Sequence, residues 1–196
     1  MDKQYRYTTN LILPGKGGKR IDSEFYVEGY AATFERYLLY EYKYKDETMR
    51  LYEEISPDAF VGADMSDIIM QYDHRGRVLA RTRNKTLGIE IDAKGLFMYA
   101  DLSHSNAANE LYNDISCGLV DRMSWAFSID EQDIEEIDEQ TRVYKIQRIK
   151  KIYDVSAVST PANDNTEISA RRFFESIGRN ATELRKRVLN LKINIK

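Results

Sequence analysis

The sequence has little of three residue types on which many functional sites and turns depend: one cysteine, two histidines and three prolines among 196 residues. The single Cys117 excludes an internal disulfide and a cysteine-based zinc site, and we interpret it as a small apolar residue at a helix end. The net charge of −3 carries no general signature of nucleic-acid binding. No apolar run approaches the ~20 residues that a membrane span needs, and no signal-peptide core occurs, so we expect an intracellular protein.

Charge is distributed unevenly along the chain. Residues 130–139 (DEQDIEEIDE) include seven acidic residues in ten, which we interpret as a solvated hairpin tip. From Thr166 to the end there are eight lysines and arginines against three glutamates, a net charge of +5, and apolar residues recur at helical spacing. We therefore expect one domain over residues 1–165, beginning with a loop or strand over 1–23, and a basic helical segment over 166–196.

The order of periodic segments indicates an α+β fold. Alternating or β-branched runs predict strands in these ranges: 24–34, 37–55, 67–74, 142–149 and 151–159, with a hairpin over 86–102 whose turn is Asp-Ala-Lys-Gly. Within 37–55, a break at the charged segment KDE stays open. Residues 105–118 have helical spacing and end at Gly118, and Pro57 fits the first position of a single helical turn. About seven short strands around one helix favour a β-barrel-like core or a strongly curled sheet.

The segment DRMSWAFS, residues 121–128, predicts a strand with a large-residue face and a small-residue face. Met123, Trp125 and Phe127 alternate with Ser124, Ala126 and Ser128. A serine on the small face has room beside it for another group. As a nucleophile, Ser124 would need a base within hydrogen-bond reach and an acceptor that orients the base.

The two histidines are the only side chains whose unperturbed pKa suits such a base. His74 lies where an apolar strand gives way to RGR, whereas His104 lies between a strand and a helix. Asp154 shares a strand face with apolar neighbours, so it needs a partner if that face is buried. A histidine would serve, but so would a lysine or arginine, or the face could be solvated. From spacing alone, a structural role for each histidine stays open.

Three segments in a fixed order resemble the prohead (capsid maturation) proteases of tailed bacteriophages. They are IMQYDHRGRVLARTRNKTLGIEIDAKGLFMYADL, then ISCGLVDRMSWAFSI after a helix, then IYDVSAVSTPAN. The resemblance covers about residues 24–165, and DVSAVSTPAN is its most specific part. It implies a serine protease with an antiparallel barrel-like core flanked by helices, similar to the herpesvirus assembly proteases.

By motif, the resemblance implies that His74 is the general base, Ser124 the nucleophile and Asp154 the orienting acid. The herpesvirus relatives use a second histidine after the serine as the third member, and Asp154 takes that place here. The chain departs from the family at Ala126, where a glycine is usual, and an added methyl could narrow the site. No arginine follows Asp154 before Asn165, so the oxyanion donors stay unassigned.

The resemblance also implies substrates and a location. These are the scaffolding protein, the N-terminal segment of the major capsid protein and the protease itself, cleaved inside the prohead in the host cytoplasm. No cofactor, metal, nucleic acid or membrane is expected to take part, and the C-terminal helix is a candidate for self-association.

Two rival functions stay open. One is a non-catalytic internal scaffold that keeps the protease fold. The other is a metal-dependent hydrolase that uses Asp73, His74 and His104, since two histidines and a carboxylate can bind zinc.

Overall fold

A computed structural model describes residues 3–9, 11–12, 18–44 and 46–159. The strands are β1 (Gln4–Thr9), β2 (Leu11–Ile12), β3 (Tyr26–Thr33), β4 (Tyr37–Tyr44), β5 (Glu47–Ile55), β6 (Ile69–Tyr72), β7 (Arg75–Arg81), β8 (Leu87–Ile91), β9 (Gly95–Asp101), β10 (Arg122–Glu136) and β11 (Thr141–Val158). The helix α1 spans Asn106–Ser116, and short 3-10 turns span Pro57–Phe60 and Thr82–Asn84. The predicted tail over 166–196 lies outside the described residues.

The strands form two sheets. The larger has the order β1-β10-β11-β5-β4, with β6 beside β11 and β7 beside β6; the smaller has the order β2-β3-β9-β8. Most pairs are antiparallel, but β5 and β6 both run parallel to β11, along its first and last parts. Mostly strands with one α-helix is compatible with the predicted α+β class. The described strands form no closed barrel, and the barrel-like and herpesvirus-like parts of the expectation stay predictions.

Two details of the strand prediction were wrong. The described residues hold eleven strands rather than about seven, partly because residues 75–81 also form a strand, β7. The break left open within 37–55 is present, between β4 and β5. The expected strands 142–149 and 151–159 are one continuous strand, β11. At the boundary between the two expected ranges, Lys151 stays paired with Ser128 of β10, and its ammonium lies 2.7 Å from the Asp64 carboxylate at the surface.

Local signals in the sequence were read correctly elsewhere. In the β8–β9 turn the Asp92 carboxylate accepts hydrogen bonds from the amides of Lys94 and Gly95, at 2.8 and 3.0 Å. The helix α1 begins after Ser105, whose hydroxyl accepts from the Ala108 amide at 3.2 Å. It ends before Gly118, which has a φ of +77°. The acidic residues 130–139 are exposed at the β10–β11 tip, as predicted.

The core lies around the first half of β10. Residues 123–129 are all buried, so both faces of this strand are covered. On the large face, Trp125 stacks on Phe127 with ring centroids 3.8 Å apart. On the small face, Ser124 and Ala126 lie opposite Ser156 and Asp154 of β11. None of the helices among the described residues is long and apolar enough to cross a membrane.

Candidate active site

The turn between β6 and β7 carries His74. Tyr72 pairs with Arg75, so Asp73 and His74 form a two-residue turn, with φ of +48° and +57°. Positive φ at both central positions is what a type I′ hairpin turn requires, and aspartate and histidine tolerate it better than most residues. Such a conformation persists only where its surroundings hold it.

Asp73 is the residue that holds this turn against the end of β11. Its backbone amide donates to the carbonyl of Ala157 at 2.9 Å. Its carboxylate accepts from the Ser159 amide at 2.9 Å and from the Ser159 hydroxyl at 2.8 Å. The turn is therefore attached to the strand that carries Asp154, and His74 is presented from a fixed position.

Sheet register brings the three predicted residues together. Ser124 and Ala126 of β10 pair with Ser156 and Asp154 of β11, so Ser124 and Asp154 project from neighbouring strands on the same face. β6 runs parallel to β11, with Ile69 opposite Asp154 and Tyr72 opposite Ala157. The β6–β7 turn, which follows Tyr72, therefore lies beside the end of β11 that carries Asp154. None of these pairings joins residues that are close in sequence.

The side chains form a continuous hydrogen-bonded chain. Nε2 of His74 lies 2.5 Å from Oγ of Ser124, and Nδ1 of His74 is hydrogen-bonded to Oδ1 of Asp154. The hydroxyl of Ser156 donates to the same Oδ1 at 2.8 Å, and Nζ of Lys3 donates to Oδ2 at 2.9 Å. A serine hydroxyl, an imidazole and a carboxylate thus stand in the order that acyl transfer requires.

Burial and charge act against each other on Asp154. Burial raises the pKa of this carboxyl, but the hydrogen bond and charge of His74, with the donors Lys3 and Ser156, outweigh it, so the pKa lies below its usual value. Asp154 is therefore ionised at neutral pH. Ser124 and Asp154 are fully buried, which strengthens every electrostatic interaction between these groups.

The structure keeps His104 apart from this chain of hydrogen bonds. His104 is 61% exposed, and its Nε2 lies 3.0 Å from Oδ2 of Asp101. The carboxylate of Asp73 is bonded to Ser159. In the part of the chain that the structure describes, no group of three or more histidine, cysteine, aspartate or glutamate side chains is placed to hold a metal ion.

Sequence reasoning missed three residues of the site. Ser156 had a signal, because it shares a strand face with Asp154 and stands in the same motif. Lys3 had none: it is 151 residues from Asp154, although a lysine partner for Asp154 was one of the open alternatives. Tyr5 also had no signal in the sequence. Its ring packs edge-on against that of His74 at a centroid distance of 4.7 Å.

Comparison with models of known protein families gives a match over most of the chain. The family model for caudovirus prohead serine proteases matches residues 18–179. The chain belongs to this family. The match includes His74, Ser124 and Asp154 and excludes β1. Membership in the caudovirus prohead serine proteases implies a serine peptidase of capsid maturation. Searches of curated proteins and of solved structures returned no match.

Proposed function

We propose that the protein is a serine endopeptidase of capsid maturation, in which Ser124 is the nucleophile, His74 the general base and Asp154 the orienting acid. The single observation that supports this most is the unbroken chain from Ser124 through His74 to Asp154. It occurs in a member of the prohead serine protease family, at residues inside the family match.

In the proposed reaction, Oγ of Ser124 attacks the scissile carbonyl carbon while Nε2 of His74 takes the hydroxyl proton. The tetrahedral intermediate collapses to an acyl-enzyme, and His74 gives that proton to the departing amine. Water then attacks the ester by the same route and restores Ser124. Asp154 holds the imidazole with Nδ1–H toward it and balances the charge of the imidazolium.

The proposed substrates are the scaffolding protein and the N-terminal segment of the major capsid protein, with the protease itself as a further target. Cleavage would take place inside the prohead in the host cytoplasm. Confinement there gives a high effective concentration, which lets an enzyme of weak sequence specificity act on each copy. Membership in the prohead serine protease family supports capsid-related substrates in general.

The test is mass spectrometry of the major capsid protein co-expressed with this chain, comparing the wild type with Ser124→Ala. Ser128→Ala is a matched control, because Ser128 is a buried serine on the same face of the same strand. We expect N-terminal trimming with the wild type and Ser128→Ala, and none with Ser124→Ala.

Two results would contradict the proposal. Equal trimming by the wild type and Ser124→Ala would exclude Ser124 as the nucleophile. Intact capsid protein in every case, with shells that still assemble, would favour the non-catalytic scaffold. Covalent labelling of the wild type by a fluorophosphonate in the presence of a chelator tests the metal-dependent alternative, which predicts no labelling.

A further inference from the structure

The N-terminal strand β1 lies outside the family match yet runs beside the candidate nucleophile. β1 pairs antiparallel with β10, with Tyr7 opposite Ser124 and Tyr5 opposite Ala126. The family match begins at residue 18. The contacts that β1 and the residue before it make with the site are therefore features of this chain that the family assignment does not supply.

Two side chains from this segment touch the site. Nζ of Lys3 lies 2.9 Å from Oδ2 of Asp154, and its side chain is 38% exposed while that of Asp154 is 1% exposed. The ring of Tyr5 packs edge-on against that of His74. The Lys3 ammonium also lies 5.4 Å from the centre of the Tyr5 ring and 5.0 Å from that of Tyr153. One end of the strand thus contacts both the base and the acid.

A buried ion pair fixes the position of β1. Arg6 donates from Nε and Nη2 to the carboxylate of Glu53 at 2.7–2.8 Å, and the hydroxyl of Tyr37 also donates to Glu53. Glu53 is fully buried, and its charge holds the pKa of Arg6 above the usual value against burial, which lowers it. Sliding β1 would leave a buried charge unpaired, which is costly. Lys3 is therefore held in register with Asp154.

We propose that Lys3 is a positioning residue of the active site. β1 holds Lys3 in place, and Lys3 sets the charge balance of the Asp154–His74 pair. Lys3 occupies Oδ2, so Oδ1 faces His74 and the carboxylate cannot rotate freely. The positive charge of Lys3 offsets part of the negative charge of the carboxylate that His74 binds. The inference rests on the proposed function in assigning His74 as the base.

The described charged and titratable groups around His74 come from each element beside it: Lys3 and Tyr5 from the N-terminal strand, Asp154 from β11, and Asp73 and Arg75 from its own hairpin. Of these, Lys3 is the cation bonded to the carboxylate that binds His74. Replacing it with methionine keeps most of the aliphatic stem and removes the charge.

The first measurement does not depend on activity. The chain has two histidines, so in a His104→Gln background the ¹⁵N histidine signals come from His74 alone. Ser124→Ala is added to prevent cleavage. In this full-length background we expect Lys3→Met to move the titration midpoint of His74 to higher pH, because a positive charge on its carboxylate partner is lost. Lys3→Arg should leave the midpoint where it is.

Lys43→Met is the matched control. It makes the same change in net charge on β4, which is at the opposite edge of the same sheet from β1. We expect no change in the titration of His74. An unchanged midpoint in Lys3→Met, or an equal rise in Lys43→Met, would overturn the inference.

The second measurement is the pH dependence of fluorophosphonate labelling of Ser124. With Lys3→Met we expect the acid limb of the pH–rate profile to move to higher pH and the plateau rate to fall, because the carboxylate that binds His74 is less well held. Lys3→Arg should restore both. A lower rate with an acid limb that does not move would mark Lys3 as merely structural and overturn the inference. A wild type that is not labelled at all would contradict the proposed function, while the NMR titration would still test Lys3.

Discussion

At the scale of single residues, Asp154 is a buried carboxylate that three donors share. His74 and Ser156 bind Oδ1 and Lys3 binds Oδ2, so neither oxygen is left unsatisfied. A buried carboxylate without such donors would be strongly destabilising or would become protonated. Satisfying Asp154 therefore contributes to folding as well as to orienting His74.

The lowered pKa of Asp154 predicts how stability depends on pH. A carboxyl with a lower pKa in the folded state stabilises the fold above its unfolded value, about 3.9, and that stabilisation is lost as the pH falls through the folded value. Below about pH 4 we therefore expect the free energy of unfolding to fall more steeply for the wild type than for Asp154→Asn.

Urea unfolding at a series of pH values checks this prediction. The single tryptophan, Trp125, is fully buried and reports unfolding by its fluorescence. Asp22→Asn, at an exposed position, is the control and should follow the wild type. Parallel curves for the wild type and Asp154→Asn would show that Asp154 gives no pH-dependent stabilisation.

At the scale of elements, the β6–β7 turn is the part on which the site depends most. A turn is an ordinary connection, but here both of its central residues have positive φ and both are engaged: Asp73 with Ser159 and His74 with Ser124 and Asp154. The backbone strain of this turn is tolerated because its hydrogen bonds hold it, and the same bonds fix the position of the His74 imidazole.

We predict that Asp73→Gly separates activity from stability. Glycine accepts a φ of +48° without strain but cannot bind Ser159. We expect the labelling rate of Ser124 to fall by about 10- to 100-fold because the imidazole is less well placed. The thermal midpoint should change little. Asp73→Asn, which keeps an oxygen acceptor for the Ser159 amide, should recover most of the rate.

Labelling of Asp73→Gly at the wild-type rate would show that the hydrogen bonds between Asp73 and Ser159 do not position His74. A large fall in the thermal midpoint of Asp73→Gly would show instead that these hydrogen bonds stabilise the fold and affect the labelling rate only indirectly. Circular dichroism on the same samples distinguishes these two outcomes.

At the scale of the whole molecule, pairings between distant segments build the site. β6 and β11 meet in parallel although more than 80 residues separate them, and β1 closes the other side of β10. The large sheet thus gathers residues 3, 74, 124 and 154 from four separate parts of the chain. In contrast, the exposed charges of the β10–β11 tip are largely paired across the hairpin, as between Lys145 and Glu135 at 2.6 Å.

The predicted boundary at residue 165 can be tested at this scale. Removing residues 166–196 takes away a net +5 and changes the formal charge of the chain from −3 to −8. Because the hydrogen-bonded residues Lys3, His74, Ser124 and Asp154 all precede the boundary, we expect the shortened chain to label at Ser124 within about twofold of the full chain, a limit near the scatter expected between independent sites. Loss of labelling in a soluble shortened chain would place the tail within the catalytic unit.

Much of the element pattern could be predicted because its signals are local. The Asp-Ala-Lys-Gly turn, the capping Ser105, the stop at Gly118 and the exposed acidic tip each follow from a few neighbouring residues. The division of 142–159 into two strands was wrong because the continuity of a strand depends on its partner: β10 pairs with β11 at both Ile149 and Lys151.

By itself, the sequence determined the identities of the three candidate site residues, through motifs in a fixed order, and the strands that carry Ser124 and Asp154. It placed His74 at a strand end but did not show the hairpin turn on which His74 lies. Only the tertiary structure decided that His74 reaches both Ser124 and Asp154, and that Lys3 completes the carboxylate's partners. The physical reason is that periodicity and turn chemistry act over a few residues. Register between distant strands depends instead on the packing of the whole sheet, which no short segment encodes.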